Sequence, residues 1–304
     1  MVNLSGEVKN ILEPTEISDI FSFEMRDKIT SEDFKKYSST FITDALNPMT
    51  KDLFTVFDLV HQDGALYYRA KITQQKHHPY SHGGFHLSAI TATEIILSVL
   101  NTEHGEFIKG FKLIEHQINC KSTVRSKEPH FKIKAETLSS EITLVHFNVE
   151  NSSYFGSLKF SRLNNRTMAN ELAAPPHQAD RLTIKGVEVD GKKLSAKIEM
   201  YPQSNHPLEF DVSPSLLLSV LSQLFIVQLY AMSAATEKQS GVVLIRSLIC
   251  WDPFVRPLQF CGVNMEVSKL RLSKSQKNHV LAEVDFAGNG RGFSGNALYF
   301  FDPL

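Results

Sequence analysis

Three side chains lie before or within two apolar segments, in a pattern that suits proton transfer. His78 precedes Pro79, and 128 residues later His206 precedes Pro207 in the same way. Glu94 lies inside the otherwise apolar segment SAITATEIILSVL. Because a histidine titrates near neutral pH and burial raises the pKa of a glutamate, these residue types can act as general base and general acid. His78, His206 and Glu94 are therefore candidates for proton transfer. The non-catalytic alternatives are a surface histidine before a proline and a solvent-facing glutamate on a half-buried helix.

A cluster of four histidines precedes the first apolar segment: His77, His78, His82 and His86. Spacings of four would place three of them on one helix face, where they could bind zinc. Pro79 and the Gly83-Gly84 pair interrupt any helix there, so we predict no metal site. His78 and His86 are then candidates for a second catalytic site, and the alternative is a histidine-rich surface loop. Gly83 and Gly84 would let a substrate approach the backbone closely.

The apolar segments predict two helices, about Ser88 to Leu100 and about Pro214 to Ala235. Pro214 suits a first helical turn. Alternating short runs follow each helix and predict strands of an antiparallel sheet: FKLIEHQINC, FKIKAETL and ITLVHFNVE in the first half, and VVLIRSLICW, GVNMEVSKLRL and HVLAEVDFAG in the second.

A second signature supports an internal repeat. Phe147 lies nine residues before Gly156, and Phe286 lies nine residues before Gly295. The larger offset here, 139 instead of 128, is explained by a longer second helix and its following loop. A polar stretch with Pro175-Pro176 reads as a linker. We predict a first domain at residues 1–165, a linker at 166–180 and a second domain at 181–304.

The second half resembles the hotdog dehydratases of fatty acid synthesis. In HPLEFDVSPSLLLSVLSQL, His206 stands eight positions before Pro214, as the catalytic histidine stands before the Pro-Gly that opens the central helix of that family. Ser215 replaces the glycine, and Val220 or Leu221 stands where the family has its helix acid. The later LIRSLICWDPFVRPLQF is similar to the family strand that ends in an Arg-Pro turn.

The first half is similar to hotdog thioesterases that act on long-chain acyl-CoA. The similarity is carried by GGFHLSAITATEIIL and IKGFKLIEHQ, and it implies a role for Glu94 as the acid within the helix. The whole arrangement also resembles the two-hotdog proteins that make butyrolactone signals. These resemblances imply an α+β fold, a tandem pair of hotdog units in which an antiparallel sheet wraps a long central helix. They also imply one composite site between the units, in which His206 of the second half meets Glu94 from the helix of the first.

The implied activity concerns acyl thioesters of coenzyme A or acyl carrier protein. Dehydration or hydration of a 3-hydroxyacyl thioester, in fatty acid or polyketide-type biosynthesis, is the leading hypothesis. The alternatives are a thioesterase, a non-catalytic protein that binds an acyl chain or a carrier protein, and a signal-molecule synthase. Backbone N–H groups at a helix start can polarise a thioester carbonyl, with Gly83 and Gly84 giving access in the first half and Pro214 and Ser215 occupying that place in the second. No cofactor is expected.

The composition excludes several other classes of function. The 32 basic and 33 acidic residues are interspersed, so we expect no nucleic-acid partner. The N-terminus lacks a signal-peptide pattern, and polar residues interrupt the longest apolar stretch, so we expect no membrane partner. Three widely spaced cysteines favour reduced thiols in the cytoplasm. We expect a monomer built as a pseudo-dimer, or a homodimer.

Overall fold

The computed structural model describes residues 53–74, 85–103, 111–121, 123–162, 181–201, 214–233, 242–252, 260–272, 279–288 and 292–301. The first half contains β1 (Leu53–Gln62), β2 (Ala65–Gln74), α1 (Ala89–Glu103), β3 (Phe111–Cys120), β4 (His130–Ser139), β5 (Ile142–Val149) and β6 (Tyr154–Arg162). The second half contains β7 (Arg181–Asp190), β8 (Lys193–Tyr201), α2 (Pro214–Ser233), β9 (Val243–Trp251), β10 (Phe260–Leu272), β11 (Val280–Gly288) and β12 (Phe293–Phe301).

Both helices and all six predicted strand segments are confirmed. The hairpins β1–β2 and β7–β8 that precede the helices were not predicted from the sequence.

The twelve strands that the structure describes belong to one antiparallel sheet. Its order is β1-β2-β4-β5-β6-β3-β9-β12-β11-β10-β8-β7, so each half contributes six consecutive strands. The halves are joined where β3 pairs with β9, with Gln117 opposite Leu248 at the centre of the pairing. The pairing gives hydrogen-bond partners to two strands that would otherwise be sheet edges.

The hairpins that the sequence analysis missed carry the same repeat. Asp58 in β1 and Gly186 in β7 lie 128 residues apart, and both have positive φ, at 54° and 56°. Each stands at a register shift between the two strands of its hairpin. Such bulges sharpen the local twist of edge strands and blunt the edge against pairing with another chain. The offset of 128 residues therefore extends through the described hairpins, although His78 and His206 lie outside the described residues.

The phenylalanine–glycine signature is a cross-strand pair in both halves. Phe147 lies opposite Gly156 in the β5–β6 ladder, and Phe286 lies opposite Gly295 in the β11–β12 ladder. A Cβ atom on either glycine would lie under 3 Å from the phenylalanine ring. The spacing of nine residues therefore indicates a hairpin in which the aromatic ring of one strand packs over a glycine of the neighbouring strand.

Each helix covers one face of its half of the sheet. In the first half, α1 buries Ala92, Ile95 and Ile96 together with the inward residues of β2 to β6. In the second half, α2 buries Leu224 and Phe225 in the same manner. The two helices also lie against each other.

The expected α+β class, with a long central helix wrapped by a separate sheet in each unit, is wrong. The described residues contain twelve strands but only two helices, of 15 and 20 residues, so the protein is nearly all-β. Two causes account for the error. The hairpins before each helix were not recognised, and the β3–β9 pairing makes one continuous sheet of the strands of both halves.

None of the described helices is long and apolar enough to span a membrane. The linker predicted at residues 166–180 lies outside the described residues, and the domain boundaries stay predictions.

Candidate functional site

The start of α1 is held by side chains from the helix and from the sheet. Ser88 caps the helix, because its Oγ accepts a hydrogen bond from the Thr91 backbone N–H at 3.0 Å. The Tyr154 hydroxyl of β6 donates to the Ser88 carbonyl at 3.1 Å. Just before the cap, the Leu87 N–H donates to the Val124 carbonyl at 2.8 Å. No acidic side chain lies in the first turn of α1, so no carboxylate there offsets the positive end of the helix dipole.

Glu94 lies on the face of α1 that turns towards the second half. It follows Ile90 by four residues, and side chains four apart share one helix face. Ile90 belongs to the first half in sequence but is buried in the core of the second half, with Leu217 and Leu221 of α2. Glu94 is half-buried, which places a carboxylate close to the boundary between the halves.

His86 lies two residues before the capping Ser88 and is half-buried. Hydrogen bonds hold this short stretch at both Leu87 and Ser88, so the backbone that carries His86 is anchored to the first helix and the sheet. The geometry therefore places one of the predicted histidines just before α1 and the predicted acid within that helix, eight residues apart in the chain.

The other predicted site residues are less fully described. Pro214 and Ser215 begin α2, as expected, but their side chains lie outside the described residues. The remaining predicted residues lie wholly outside them: His206, His78, Gly83 and Gly84. The meeting of His206 with Glu94 therefore stays a prediction.

The second half supplies no acid from its helix. Val220 and Leu221, which stand where the dehydratase resemblance expects a carboxylate, are buried at 3% and 1% exposure. The helix sequence contains no aspartate or glutamate at all. Two uncharged polar side chains of α2 make hydrogen-bond contacts instead. The Ser222 hydroxyl lies 3.4 Å from the Tyr299 hydroxyl, and Gln228 Nε2 donates to the Lys192 carbonyl. Of the two helices that the structure describes, only α1 carries carboxylates within its length.

A buried histidine of β3 was missed by the sequence analysis. His116 is fully buried, and its Nε2 lies 3.2 Å from Thr93 Oγ1 on α1. Burial lowers the pKa of His116 to about 3, so the imidazole is neutral at physiological pH. The alternation in FKLIEHQINC places His116 on the same strand face as Ile118, and this pattern could have identified it.

The cysteines whose surroundings are described are poor nucleophiles. Burial raises the pKa of the Cys120 thiol to about 12, although a hydrogen bond with Tyr154 opposes the effect. Burial also raises the pKa of the Cys250 thiol. Because the thiolate is the reactive form, neither side chain suits covalent catalysis at neutral pH.

A depression of about 530 Å³ lies elsewhere, on the second half. Its lining includes Glu188, Asp190, Asn264, Glu266 and Asp285. None of the predicted site residues borders it. Within the described part of the chain, no group of three or more histidine, cysteine, aspartate or glutamate residues could hold a metal ion.

The order of elements after each predicted helix is the one that the sequence repeat predicted. A helix followed by four antiparallel strands occurs twice, and the two helices lie side by side over one sheet. The chain has a hotdog-type fold. This confirms the resemblance to hotdog proteins at the level of the fold.

Three solved structures are similar to most of the chain, each with a TM-score below 0.5. The tesB protein of Mycobacterium avium subspecies paratuberculosis is 8% identical, with a TM-score of 0.46 over 81% of this chain and 96% of that protein. A MaoC-like dehydratase is 10% identical, with a TM-score of 0.45 over 74% and 86%. A hot dog fold protein from Alicyclobacillus acidocaldarius is 7% identical, with a TM-score of 0.45 over 90% and 98%. Such identities give no basis for carrying a residue's role from these proteins to this chain.

No family model and no curated protein sequence matches the chain.

Proposed function

We propose that this hotdog-type protein is an enzyme that acts on acyl thioesters of coenzyme A or acyl carrier protein. The reaction is dehydration or hydration of a 3-hydroxyacyl thioester, in fatty acid or polyketide-type biosynthesis. The observation that carries the proposal is the position of Glu94, half-buried on the α1 face that turns towards the second half.

The two halves complement each other in this proposal. The second half supplies His206 before α2 but has no carboxylate within that helix. The first half supplies Glu94 on the face that approaches α2. His206 acts as the base that removes the C2 proton, and Glu94 protonates the departing 3-hydroxyl group. The hydroxyl then leaves as water and the C2–C3 double bond forms. Hydration is the same sequence in reverse.

A thioesterase is the second candidate, and the first-half resemblance to acyl-CoA thioesterases favours it. In that reaction Glu94 would accept a proton from water, and the resulting nucleophile would attack the thioester carbonyl. The free thiol of the carrier would be released. Both candidates use the same carboxylate, so the product formed distinguishes them.

The proposal includes a reducing compartment such as the cytoplasm. It is supported by Cys120 and Cys250, which are both free thiols in the structure.

The test uses the full chain with Glu94→Gln and His206→Ala. Each variant should reduce turnover about a hundredfold or more, because each removes a positioned acid or base. The substrates are crotonyl and 3-hydroxyacyl thioesters, with enoyl–hydroxyacyl interconversion and free thiol release followed in parallel. Loss of interconversion supports the dehydratase, and loss of thiol release supports the thioesterase.

Glu103→Gln is the matched control. Glu103 is the last residue of α1, and its carboxylate lies 3.5 Å from His61 near the surface. This variant makes the same chemical change on the same helix, away from the boundary between the halves, and should retain wild-type turnover. Unchanged turnover in both Glu94→Gln and His206→Ala would contradict the proposal.

A further inference from the structure

A buried hydrogen bond connects α1 to the strand at which the two halves join. His116 of β3 is fully buried, and so is Thr93 of α1, at 1% exposure. The His116 Nε2 atom and the Thr93 Oγ1 atom are 3.2 Å apart. Thr93 directly precedes Glu94 in the helix, so this contact lies within the turn that carries the proposed acid.

The hydrogen-bond pattern determines the tautomer of His116. The Thr93 hydroxyl donates its only proton to the Ala89 carbonyl, at 2.8 Å. The hydroxyl oxygen can therefore only accept from the imidazole, so His116 must carry its proton on Nε2. Nδ1 is then an unprotonated acceptor, and it has no hydrogen-bond partner in the structure. The surroundings favour the neutral ring, because the cross-strand neighbours Leu158 and Ile249 are apolar.

The described residues of the second half show no such contact at the equivalent strand position. In the β3–β9 pairing, His116 lies opposite Ile249, and Ile118 lies opposite Ser247. His116 and Ser247 therefore occupy equivalent positions about the centre of the pairing. Ser247 is also fully buried, but its hydroxyl has no hydrogen-bond partner in the structure. The contact between helix and joining strand is thus found on the helix that carries Glu94 and not at the equivalent strand position of the other half.

We propose that His116 is a positioning residue for Glu94. The neutral Nε2–H tautomer donates to Thr93 and so fixes the rotation of α1 that directs Glu94 towards the second half. The inference rests on the proposed function, because it assigns Glu94 the role of the acid. His116 acts through the helix and takes no part in proton transfer to the substrate.

The test compares variants that remove the contact with variants that keep it. His116→Leu removes the donor, whereas His116→Gln places an amide N–H at a similar reach. Thr93→Val removes the acceptor, whereas Thr93→Ser keeps it. We expect His116→Leu and Thr93→Val to lower kcat about ten- to a hundredfold with little change in KM, because small misplacements of a catalytic group are costly. The Gln and Ser variants should retain most of the activity.

A double substitution separates positioning from a general structural effect. If His116 acts only through Glu94, His116→Leu should cause no further loss of turnover in the Glu94→Gln background. Ser247→Ala, at the equivalent position in the second half, is the matched control and should leave kcat near the wild-type value. An additive loss in the double variant, or failure of His116→Gln to retain activity, would overturn the inference.

Nitrogen-15 NMR of the imidazole tests the contact without any substrate. We expect a protonated Nε2 and an unprotonated Nδ1 at neutral pH, and the opposite tautomer or a charged ring would overturn the proposal even if a variant failed to fold. The two proposals fail differently. A wild-type chain without activity on any acyl thioester would contradict the proposed function, whereas an active chain with additive double variants would contradict the positioning role alone.

Discussion

At the residue scale, burial suppresses ionisation around the start of α1. It lowers the pKa of His116 to about 3 and raises that of Cys120 to about 12. It also raises the pKa of Tyr154, whose hydroxyl anchors the capping residue Ser88. All three side chains are therefore neutral at physiological pH and contribute hydrogen bonds and packing.

The pKa of His116 predicts a loss of stability in mild acid. The pKa is about 3 in the folded state and 6.5 unperturbed, so between these values only the unfolded chain binds the proton. Above about pH 6.5, the contribution of His116 to the free energy of unfolding is constant. Below that pH, the free energy of unfolding falls by up to about 1.4 kcal/mol for each pH unit. Urea unfolding of wild type and His116→Gln between about pH 7.5 and pH 5 measures the effect.

The difference between these two proteins isolates His116, because their carboxylates are the same. We expect the free energy of unfolding of His116→Gln to depend less on pH over this window. Identical pH dependence in the two proteins would show that the imidazole is not held neutral by burial.

At the element scale, the two phenylalanine–glycine pairs shape corresponding hairpins. A Cβ atom on Gly156 would lie 2.1 Å from the Gln117 carbonyl oxygen, and one on Gly295 would lie 2.0 Å from the Leu248 carbonyl oxygen. Gln117 and Leu248 are themselves the pair at the centre of the β3–β9 pairing. Glycine is therefore required at both positions because the strands that join the halves lie too close to admit a Cβ atom. Neither glycine has a positive φ, so backbone conformation does not explain the requirement.

Alanine at either glycine should therefore destabilise the protein. Gly156→Ala and Gly295→Ala should each lower the free energy of unfolding by about 1–3 kcal/mol or more, because backbone atoms must move to admit the methyl group. The control is Gly292→Ala, where an added Cβ would meet no atom within 4 Å, and its effect should stay within about 0.5 kcal/mol. Equal stability of all three variants in urea unfolding would contradict this account of the hairpins.

At the scale of the whole molecule, the halves are joined through both layers. The β3–β9 pairing makes one sheet of twelve strands, and α1 lies against α2 above it. Ile90 of α1 is buried in the second core, and Leu244 of β9 packs against both cores. We therefore expect the two halves to unfold as one cooperative unit.

A core substitution in the first half tests this expectation, because the only tryptophan, Trp251, lies in β9 of the second half. Ile95 is fully buried in the first core, and Ile95→Ala should cost about 2–5 kcal/mol. Trp251 fluorescence and circular dichroism should show the same lowered unfolding midpoint. Leu224→Ala in the second core serves as the counterpart and should behave alike. A tryptophan transition that keeps its wild-type midpoint in Ile95→Ala would show that the halves unfold separately.

Local patterns in the sequence determined much of the fold. Apolar runs placed both helices within three residues of their observed ends, and alternation identified six strands. The spacing of Phe147 from Gly156 and of Phe286 from Gly295 correctly indicated a repeated hairpin. These features are local, because side-chain periodicity and tight turns depend on residues close together in the chain. The same kind of pattern drew attention to Glu94, a charged residue within an apolar helix, and its role stays a prediction.

Only the tertiary structure decided how these elements combine. The β3–β9 pairing joins residues about 130 positions apart, and no local pattern records which edges meet. For the same reason the sequence did not reveal that Ile90 enters the second core, or that His116 reaches Thr93. A histidine in an alternating strand gives the same sequence pattern whether or not its ring has a hydrogen-bond partner. Its burial, its tautomer and its pKa follow from a helix that packs across it, and that packing exists only once the chain has folded.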